Sequence, residues 1–124
     1  HKERDVRATA VHPGVIETEL ARHLDGTSLE DMVESMNAER TAAGQPLFRL
    51  KTIPEGAATS VWAGFVADAG EVGGRYCENC HVSEVVEGPV DAVGEGLYAY
   101  AVDPERAKLL WRMSEDLVGE EVSE

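Results

Sequence analysis

The hydrophobic pattern near the start of the chain predicts a short strand. Residues 6–11 are almost all apolar or small, three of the six are β-branched, and a proline and a glycine follow shortly after them. A strand covered on both faces of a parallel sheet has this composition, and the proline and glycine end it. A pair of glycines leads into residues 73–77, where a second short strand is predicted.

Three amphipathic segments predict helices near 28–40, 54–67 and 104–118. Pro54 suits the first turn of the second helix, and Asp103 is a predicted N-cap for the third. Both tryptophans lie on the apolar stripes, so we expect both to be core anchors. The stripes consist of Leu29, Met32, Val33 and Met36, then Ala58, Val61, Trp62, Phe65 and Val66, and finally Ala107, Leu110, Trp111, Leu117 and Val118.

Residues at the ends of the segments refine these boundaries. Thr27 and Glu30 form a capping-box pattern at the start of the first helix, and Gly119 is positioned to stop the last one. Residues 78–99 are rich in glycine and acidic residues and show no periodicity, which predicts irregular structure. Residues 119–124 are predicted to be a frayed acidic tail.

Composition narrows the classes of protein. The chain has 124 residues, 24 of them acidic and 11 basic, for a net charge of −13, and no apolar run approaches the ~20 residues of a membrane span. The negative charge disfavours nucleic acid as a partner, and two cysteines are too few for a disulfide framework. We therefore expect a cytoplasmic α/β protein. Because the chain begins in a charged segment without a methionine or targeting signal, we also expect a fragment of a longer domain.

The Cys77-Glu78-Asn79-Cys80-His81 motif allows several interpretations. It matches a haem-attachment pattern, offers two of the four ligands of a zinc site, and contains a Cys-x-x-Cys redox spacing. However, the chain shows no export signal, no second ligand pair and no helix after the cysteines. We therefore expect a structural loop in a reducing compartment, and no metal site.

Other motifs carry less information. Residues 94–99 match Gly-x-Gly-x-x-Ala, but tyrosines follow where a dinucleotide-binding helix should begin, so we interpret them as a flexible loop. No catalytic triad or isolated carboxylate pair is evident. No catalytic residue is therefore assigned to this chain.

The turn after the first predicted strand is a better candidate for binding. Pro13 and Gly14 follow the strand, and Thr18 supplies a hydroxyl five residues after the proline. Ligands of open α/β sheets bind at the carboxyl ends of the strands, where free backbone groups and a hydroxyl can pair with an amide. The alternative is a simple strand-to-helix turn with Thr18 as an N-cap, and the residues alone leave both interpretations open.

Taken in order, four blocks of sequence resemble the C-terminal half of a short-chain dehydrogenase/reductase. The resemblance is strongest to the retinol-dehydrogenase-like and WW-domain-oxidoreductase-like branch, and it extends from Val6 to about Val118. The blocks are 6–20 with Pro13-Gly14 and Thr18, Pro54-Glu55-Gly56-Ala57-Ala58-Thr59, Gly73-Gly74-Arg75-Tyr76-Cys77-Glu78-Asn79-Cys80, and Asp103-Pro104 leading to Leu110-Trp111.

The resemblance implies the C-terminal part of a Rossmann-type doubly wound parallel sheet that binds NAD or NADP. In that family the Pro-Gly-x-x-x-Thr segment lies against the nicotinamide, so the resemblance assigns cofactor binding to Pro13, Gly14, Val15, Ile16 and Thr18. Residues 19–53 are similar to the mobile substrate loop, with Leu20 and Leu24 among its apolar residues. The implied substrate is a small-molecule alcohol or carbonyl compound, and a lipophilic one suits the apolar loop.

The family's Gly-rich cofactor turn and its Tyr-x-x-x-Lys pair are missing from these 124 residues. Without that tyrosine, hydride transfer lacks its proton partner, so we expect the chain alone to be inactive. We also expect it to aggregate or to lie within a larger ordered protein, and a homo-oligomer is compatible with the resemblance. The alternative function is that of a non-catalytic binding protein, either a degenerate relative or a small Cys/His metal module.

Overall fold

The computed structural model describes residues 6–18, 28–88 and 93–121. The chain divides into two compact units, one formed by Thr9–Val82 and the other by Ser83–Glu124 together with His1–Ala8. The elements of the first unit are β1 (Ala10–His12), α1 (Leu29–Ala42), α2 (Ile53–Val61), a π-helical turn (Trp62–Val66), α3 (Ala69–Val72), β2 (Tyr76–Glu78) and β3 (His81–Val82). Those of the second are β4 (Val85–Val86), β5 (Leu97–Tyr98), a 3-10 turn (Ala99–Val102) and α4 (Pro104–Val118).

A three-stranded sheet in the order β1-β2-β3 organises the first unit. β1 and β2 are parallel, with Val11 opposite Cys77, and β2 and β3 form an antiparallel hairpin. This pairing confirms a mixed α/β class with parallel strands. The prediction of a strand over 6–11 was too long at its start, because β1 begins only at Ala10. It was also wrong about burial, because Ala10 and His12 are exposed and Val11 is only half-buried.

The predicted helix near 28–40 is confirmed as α1, but its cap differs from the expected one. Ser28 is the N-cap, accepting from the Asp31 N–H at 3.0 Å while the Asp31 carboxylate accepts from the Ser28 N–H at 3.2 Å. Glu30 therefore does not form the capping box, and Thr27 lies outside the described residues. Asn37 joins α1 to the segment that follows, accepting from the Phe48 N–H at 2.7 Å and donating to the Phe48 carbonyl.

The predicted helix near 54–67 is α2 with its π-helical extension. Thr52 caps α2 through a capping box with Glu55, a residue that also forms a two-pronged ion pair with Arg49, with a shortest N–O distance of 2.6 Å. Proline in the first turn has no N–H to leave unpaired. The helix start is therefore encoded locally, by residues within a few positions of one another.

Glu55 provides a pH-dependent contribution to this helix start. Its hydrogen bonds with Arg49, and then those with Thr52, lower its pKa from 4.5 to about 2. A lowered pKa in the folded state contributes stability that is present above pH 4.5 and is lost as the pH falls through 2. We expect an NMR titration to place Glu55 near 2 in the wild type and closer to 4.5 in Arg49→Gln. Titration near 4.5 in both proteins would show that the ion pair does not form in solution.

The apolar stripes are largely uncovered within the described residues. Phe65 is 89% exposed and Trp111 56%, whereas Trp62 is half-buried. The prediction that both tryptophans are core anchors is therefore wrong for Trp111. Its indole N–H instead donates to the Glu115 carboxylate at 2.9 Å, along the surface of α4. Among the residues that the structure describes, the buried apolar ones are Val72, Cys77 and Leu97.

The second unit contains a parallel pair, β4 and β5, and the predicted helix near 104–118, which α4 confirms. Asp103 is its N-cap, and Gly119 ends it with a φ of 71°, which glycine tolerates best. The expectation of irregular structure over 78–99 was wrong in part, because β3, β4 and β5 lie there. None of the described helices combines the length and apolar character needed to span a membrane.

Candidate cofactor-binding site

The site begins at the turn that leaves β1. Gly14 has a φ of 85°, a region that glycine enters at little cost and that side chains with a Cβ avoid. A Cβ at this position would lie 2.7 Å from Cδ, 2.8 Å from Cε and 2.9 Å from Nζ of Lys51. Glycine is therefore favoured here by the backbone conformation, and a Cβ would also force the flexible far end of the Lys51 side chain to shift.

The residues after Gly14 are held by the segment that precedes α2. The Val15 carbonyl accepts from the Lys51 N–H at 2.9 Å, and Ile16 forms an isolated parallel bridge with Lys51. The Ile16 side chain rests on Gly56 in α2, since a Cβ there would lie 2.6 Å from both Cδ1 and Cγ1 of the isoleucine. The 13–16 backbone is thus fixed by backbone pairing on one side and by side-chain packing on the other.

The hairpin between β2 and β3 reaches the same place. Its two turn residues, Asn79 and Cys80, have φ values of 44° and 60°, as a two-residue hairpin loop of type I′ requires. The Cys80 N–H donates to Oγ1 of Thr59 at 3.3 Å, and the Lys51 ammonium donates to Oδ1 of Asn79. The hairpin tip is therefore attached both to α2 and to the residue that lies over Gly14.

The Cys77-to-His81 motif is thus the end of a strand followed by a hairpin turn. Cys77 is completely buried, and that burial raises the pKa of its thiol, whereas Cys80 is exposed at the turn. Both thiols are free. This arrangement supports the structural interpretation, with the correction that the first cysteine lies in a strand rather than in a loop.

A buried carboxylate lies at the carboxyl edge of the parallel pair. Glu78 is 4% exposed and is the register partner of His12 at the end of β1. Burial, and then the charge of Glu78, raises the pKa of Tyr76, whose ring centre lies 6.4 Å from that of His12. The carboxyl edge of the pair therefore places Glu78 and His12 next to the Pro13-Gly14 turn, whereas Tyr76 begins β2 at the amino end.

The predicted site residues divide into those the structure brings together and those it does not describe. Pro13 and Thr18 are exposed, whereas Gly14, Val15 and Ile16 are half-buried. Leu20 and Leu24 lie outside the described residues. Of the substrate-loop region, residues 28–53 are described, and α1 occupies more than half of them.

Sequence reasoning missed Lys51, Thr59 and Asn79. They lie far apart along the chain and show no common spacing, so a periodicity argument could not connect them. The only local signal was Asn79 itself, because asparagine is favoured in turns with positive φ. Their juxtaposition requires the parallel pairing of β1 with β2 and the packing of α2 on Ile16.

Comparison with known proteins identifies the family. The chain is 36% identical over 115 residues to a protein of Streptomyces antibioticus named a probable oxidoreductase, covering 90% of the chain and 36% of that protein. It is 33% identical over 112 residues to a short-chain dehydrogenase/reductase of Penicillium roqueforti, covering 90% of the chain and 30% of the relative. It is 31% identical over 121 residues to retinol dehydrogenase 14 of Mus musculus, covering 93% of the chain and 28% of that protein.

No family model matches the chain, and neither does any solved structure. The chain spans about a third of the length of the curated relatives, between 28% and 36% of those named here. The names of these relatives agree with the resemblance drawn from the four sequence blocks. The chain is therefore homologous to part of the short-chain dehydrogenases/reductases.

Proposed function

We propose that this chain is the carboxyl-terminal part of an NAD(P)-dependent oxidoreductase that acts on an alcohol or carbonyl compound. The names of the relatives support an oxidoreductase, and the resemblance supports NAD or NADP as cofactor. In this proposal the whole of 1–124 belongs to one Rossmann-type domain of a cytoplasmic enzyme. The described strands β1 and β2 form part of its parallel sheet.

The observation that carries the proposal is the Pro13-Gly14 turn at the carboxyl end of a parallel strand pair. Ligands of open α/β sheets bind at such edges. The backbone N–H and C=O groups around Gly14 and the Thr18 hydroxyl together offer donors and acceptors for a carboxamide. These residues would orient the nicotinamide end of the cofactor, which supplies the hydride chemistry when bound.

The chain contributes binding groups to this reaction and no proton donor. Its tyrosines, Tyr76, Tyr98 and Tyr100, are followed four residues later by Cys80, Val102 and Pro104, so a Tyr-x-x-x-Lys pair is missing from these 124 residues. The lysine of such a pair lowers the pKa of the tyrosine, which then exchanges the proton with the substrate oxygen. The proposal therefore assigns catalysis to residues outside this chain and expects no turnover by the chain alone.

The apolar character of residues 19–53, the region that resembles the substrate loop, supports the proposal of a lipophilic substrate. Within residues 19–53, α1 carries half-buried apolar side chains and an exposed Met32. One relative is named a retinol dehydrogenase, which is consistent with a lipophilic alcohol. Leu20 and Leu24, which lie outside the described residues, are also apolar.

Substitution of Thr18 tests the cofactor assignment in the complete enzyme. We expect Thr18→Ala to raise the KM for the dinucleotide by about two- to tenfold, the effect of one lost hydrogen bond. Thr41→Ala is the matched control, because the Thr41 hydroxyl donates to its own helix, to the Asn37 carbonyl at 2.7 Å. Steady-state kinetics with each cofactor measure both variants.

Two possible results distinguish the role of the Thr18 hydroxyl from the proposed oxidoreductase function. An unchanged dinucleotide KM in Thr18→Ala would refute the role given to the hydroxyl. If the complete protein bound neither NAD nor NADP in a calorimetric titration, the oxidoreductase proposal itself would fail. The alternative of a non-catalytic binding protein would then be favoured.

A further inference from the structure

Three segments distant in sequence converge on one lysine. The Lys51 N–H donates to the Val15 carbonyl at 2.9 Å, its aliphatic stem lies against Gly14, and its ammonium donates to Oδ1 of Asn79. The backbone contact is available to any residue except proline, whereas the other two depend on the side chain. Lys51 thus adds to the Pro13–Thr18 turn a connection that backbone pairing alone does not provide.

The partner of this ammonium is itself held in place. Asn79 and Cys80 form the two-residue turn with positive φ, and the Cys80 N–H donates to the hydroxyl of Thr59. Thr59 is 1% exposed in the middle of α2, the helix that begins two residues after Lys51. The Asn79 oxygen is therefore anchored to the same helix that positions the lysine backbone.

We propose that Lys51 and Asn79 form a polar bridge that positions the Pro13–Thr18 turn for binding the dinucleotide. The inference rests on the function proposed above, and it concerns residues outside the motif that suggested that function. The stem of Lys51 occupies the space where a Cβ of residue 14 would lie, so the bridge constrains the turn from the side on which glycine lacks a side chain. Lys51 is in this proposal a positioning residue that acts through the turn.

The expected kinetic result follows from this role. Lys51→Met keeps an unbranched stem over Gly14 but removes the ammonium. In the complete enzyme we expect it to raise the dinucleotide KM about tenfold, with kcat changed less than about twofold. Lys51→Arg retains a positive charge and N–H donors, so we expect it to keep more of the affinity than Lys51→Met does. Asn79→Gly removes the acceptor while tolerating the positive φ, and should resemble Lys51→Met.

The double variant tests whether the two residues act together. Lys51→Met/Asn79→Gly should be no worse than Lys51→Met, because each change breaks the same bridge. Lys108→Met is the matched control, since it removes an ammonium from an exposed ion pair with Glu105 in the other unit, at 2.8 Å. We expect that control to leave both kinetic constants unchanged.

Amide hydrogen exchange separates this inference from the proposed function. The backbone amide of residue 51 donates to the Val15 carbonyl. It should exchange about tenfold faster in Lys51→Met and in Asn79→Gly than in the wild type, with or without dinucleotide. If the wild type bound neither dinucleotide, the proposed NAD(P)-dependent function would be refuted. The exchange result would then decide by itself whether the Lys51–Asn79 bridge holds the turn. An unchanged dinucleotide KM and unchanged exchange in Lys51→Met, or additive effects in the double variant, would overturn the inference.

Discussion

Alanine in place of Gly14 is expected to weaken dinucleotide binding by the complete enzyme at least tenfold. Alanine is strained at a φ of 85°, at a cost of roughly 1–3 kcal/mol. Its Cβ would also lie within 2.9 Å of three atoms at the flexible far end of the Lys51 side chain, which must then shift. Backbone strain in the turn and displacement of the lysine side chain act on the same binding segment.

Gly44→Ala is the matched control for this substitution. Gly44 also has a positive φ, 66°, but a Cβ there would meet nothing within 4 Å. The control therefore carries comparable backbone strain without displacing a neighbour. Calorimetric titration with NAD and NADP measures both variants, and equal losses of affinity would show that the contact between Gly14 and Lys51 has no part in binding.

Gly56→Ala is expected to lower the free energy of unfolding by about 1–3 kcal/mol, the usual cost of overpacking a buried contact. The added methyl group would lie 2.6 Å from two carbons of Ile16, a short branched side chain with little freedom to move aside. To relieve the overlap between the added methyl group and Ile16, α2 must move away from residues 13–16. The same substitution should therefore also disturb the Pro13–Thr18 turn.

Gly64→Ala provides the comparison within the same helical stretch. A Cβ at Gly64 would meet nothing within 4 Å, and alanine favours a helix over glycine by up to about 1 kcal/mol. We expect this control to be neutral or stabilising in chemical denaturation followed by circular dichroism. Loss of stability in both variants, or in neither, would contradict the packing of Ile16 on Gly56.

The helices α1, α2 and α4 were predictable because their signals are local. The caps Ser28, Thr52 and Asp103 lie within a few residues of the groups they bind, and Pro54 and Gly119 satisfy backbone requirements at helix ends. α4 begins and ends where the sequence predicted. The shift of the capping box from Glu30 to Asp31 is a change of one position in the same kind of interaction.

The strands were harder to predict because their signals are not local. β3, β4 and β5 are each two residues long, too short to show an alternating pattern. A segment this short forms a strand only through the partner it meets. The pairing of Val85 with Leu97, for example, joins residues on opposite sides of a glycine-rich segment that shows no periodicity.

Burial was the property that amphipathic patterns described least well. The stripes containing Phe65 and Trp111 have the spacing of core-facing residues, yet both side chains are mostly exposed. A periodic stripe predicts that a helix has an apolar face, and it does not specify what covers that face.

The sequence by itself determined the helices α1, α2 and α4, the Pro13-Gly14 turn and the family resemblance, because each depends on residues close together in the chain or on blocks in a fixed order. Only the tertiary structure decided how the candidate site is assembled. Lys51 contacts Gly14 and Asn79 because β1 pairs with β2 and α2 packs against Ile16. Such contacts join residues dozens of positions apart, and the physical reason they escape prediction is that chain folding, rather than local propensity, brings them within bonding distance.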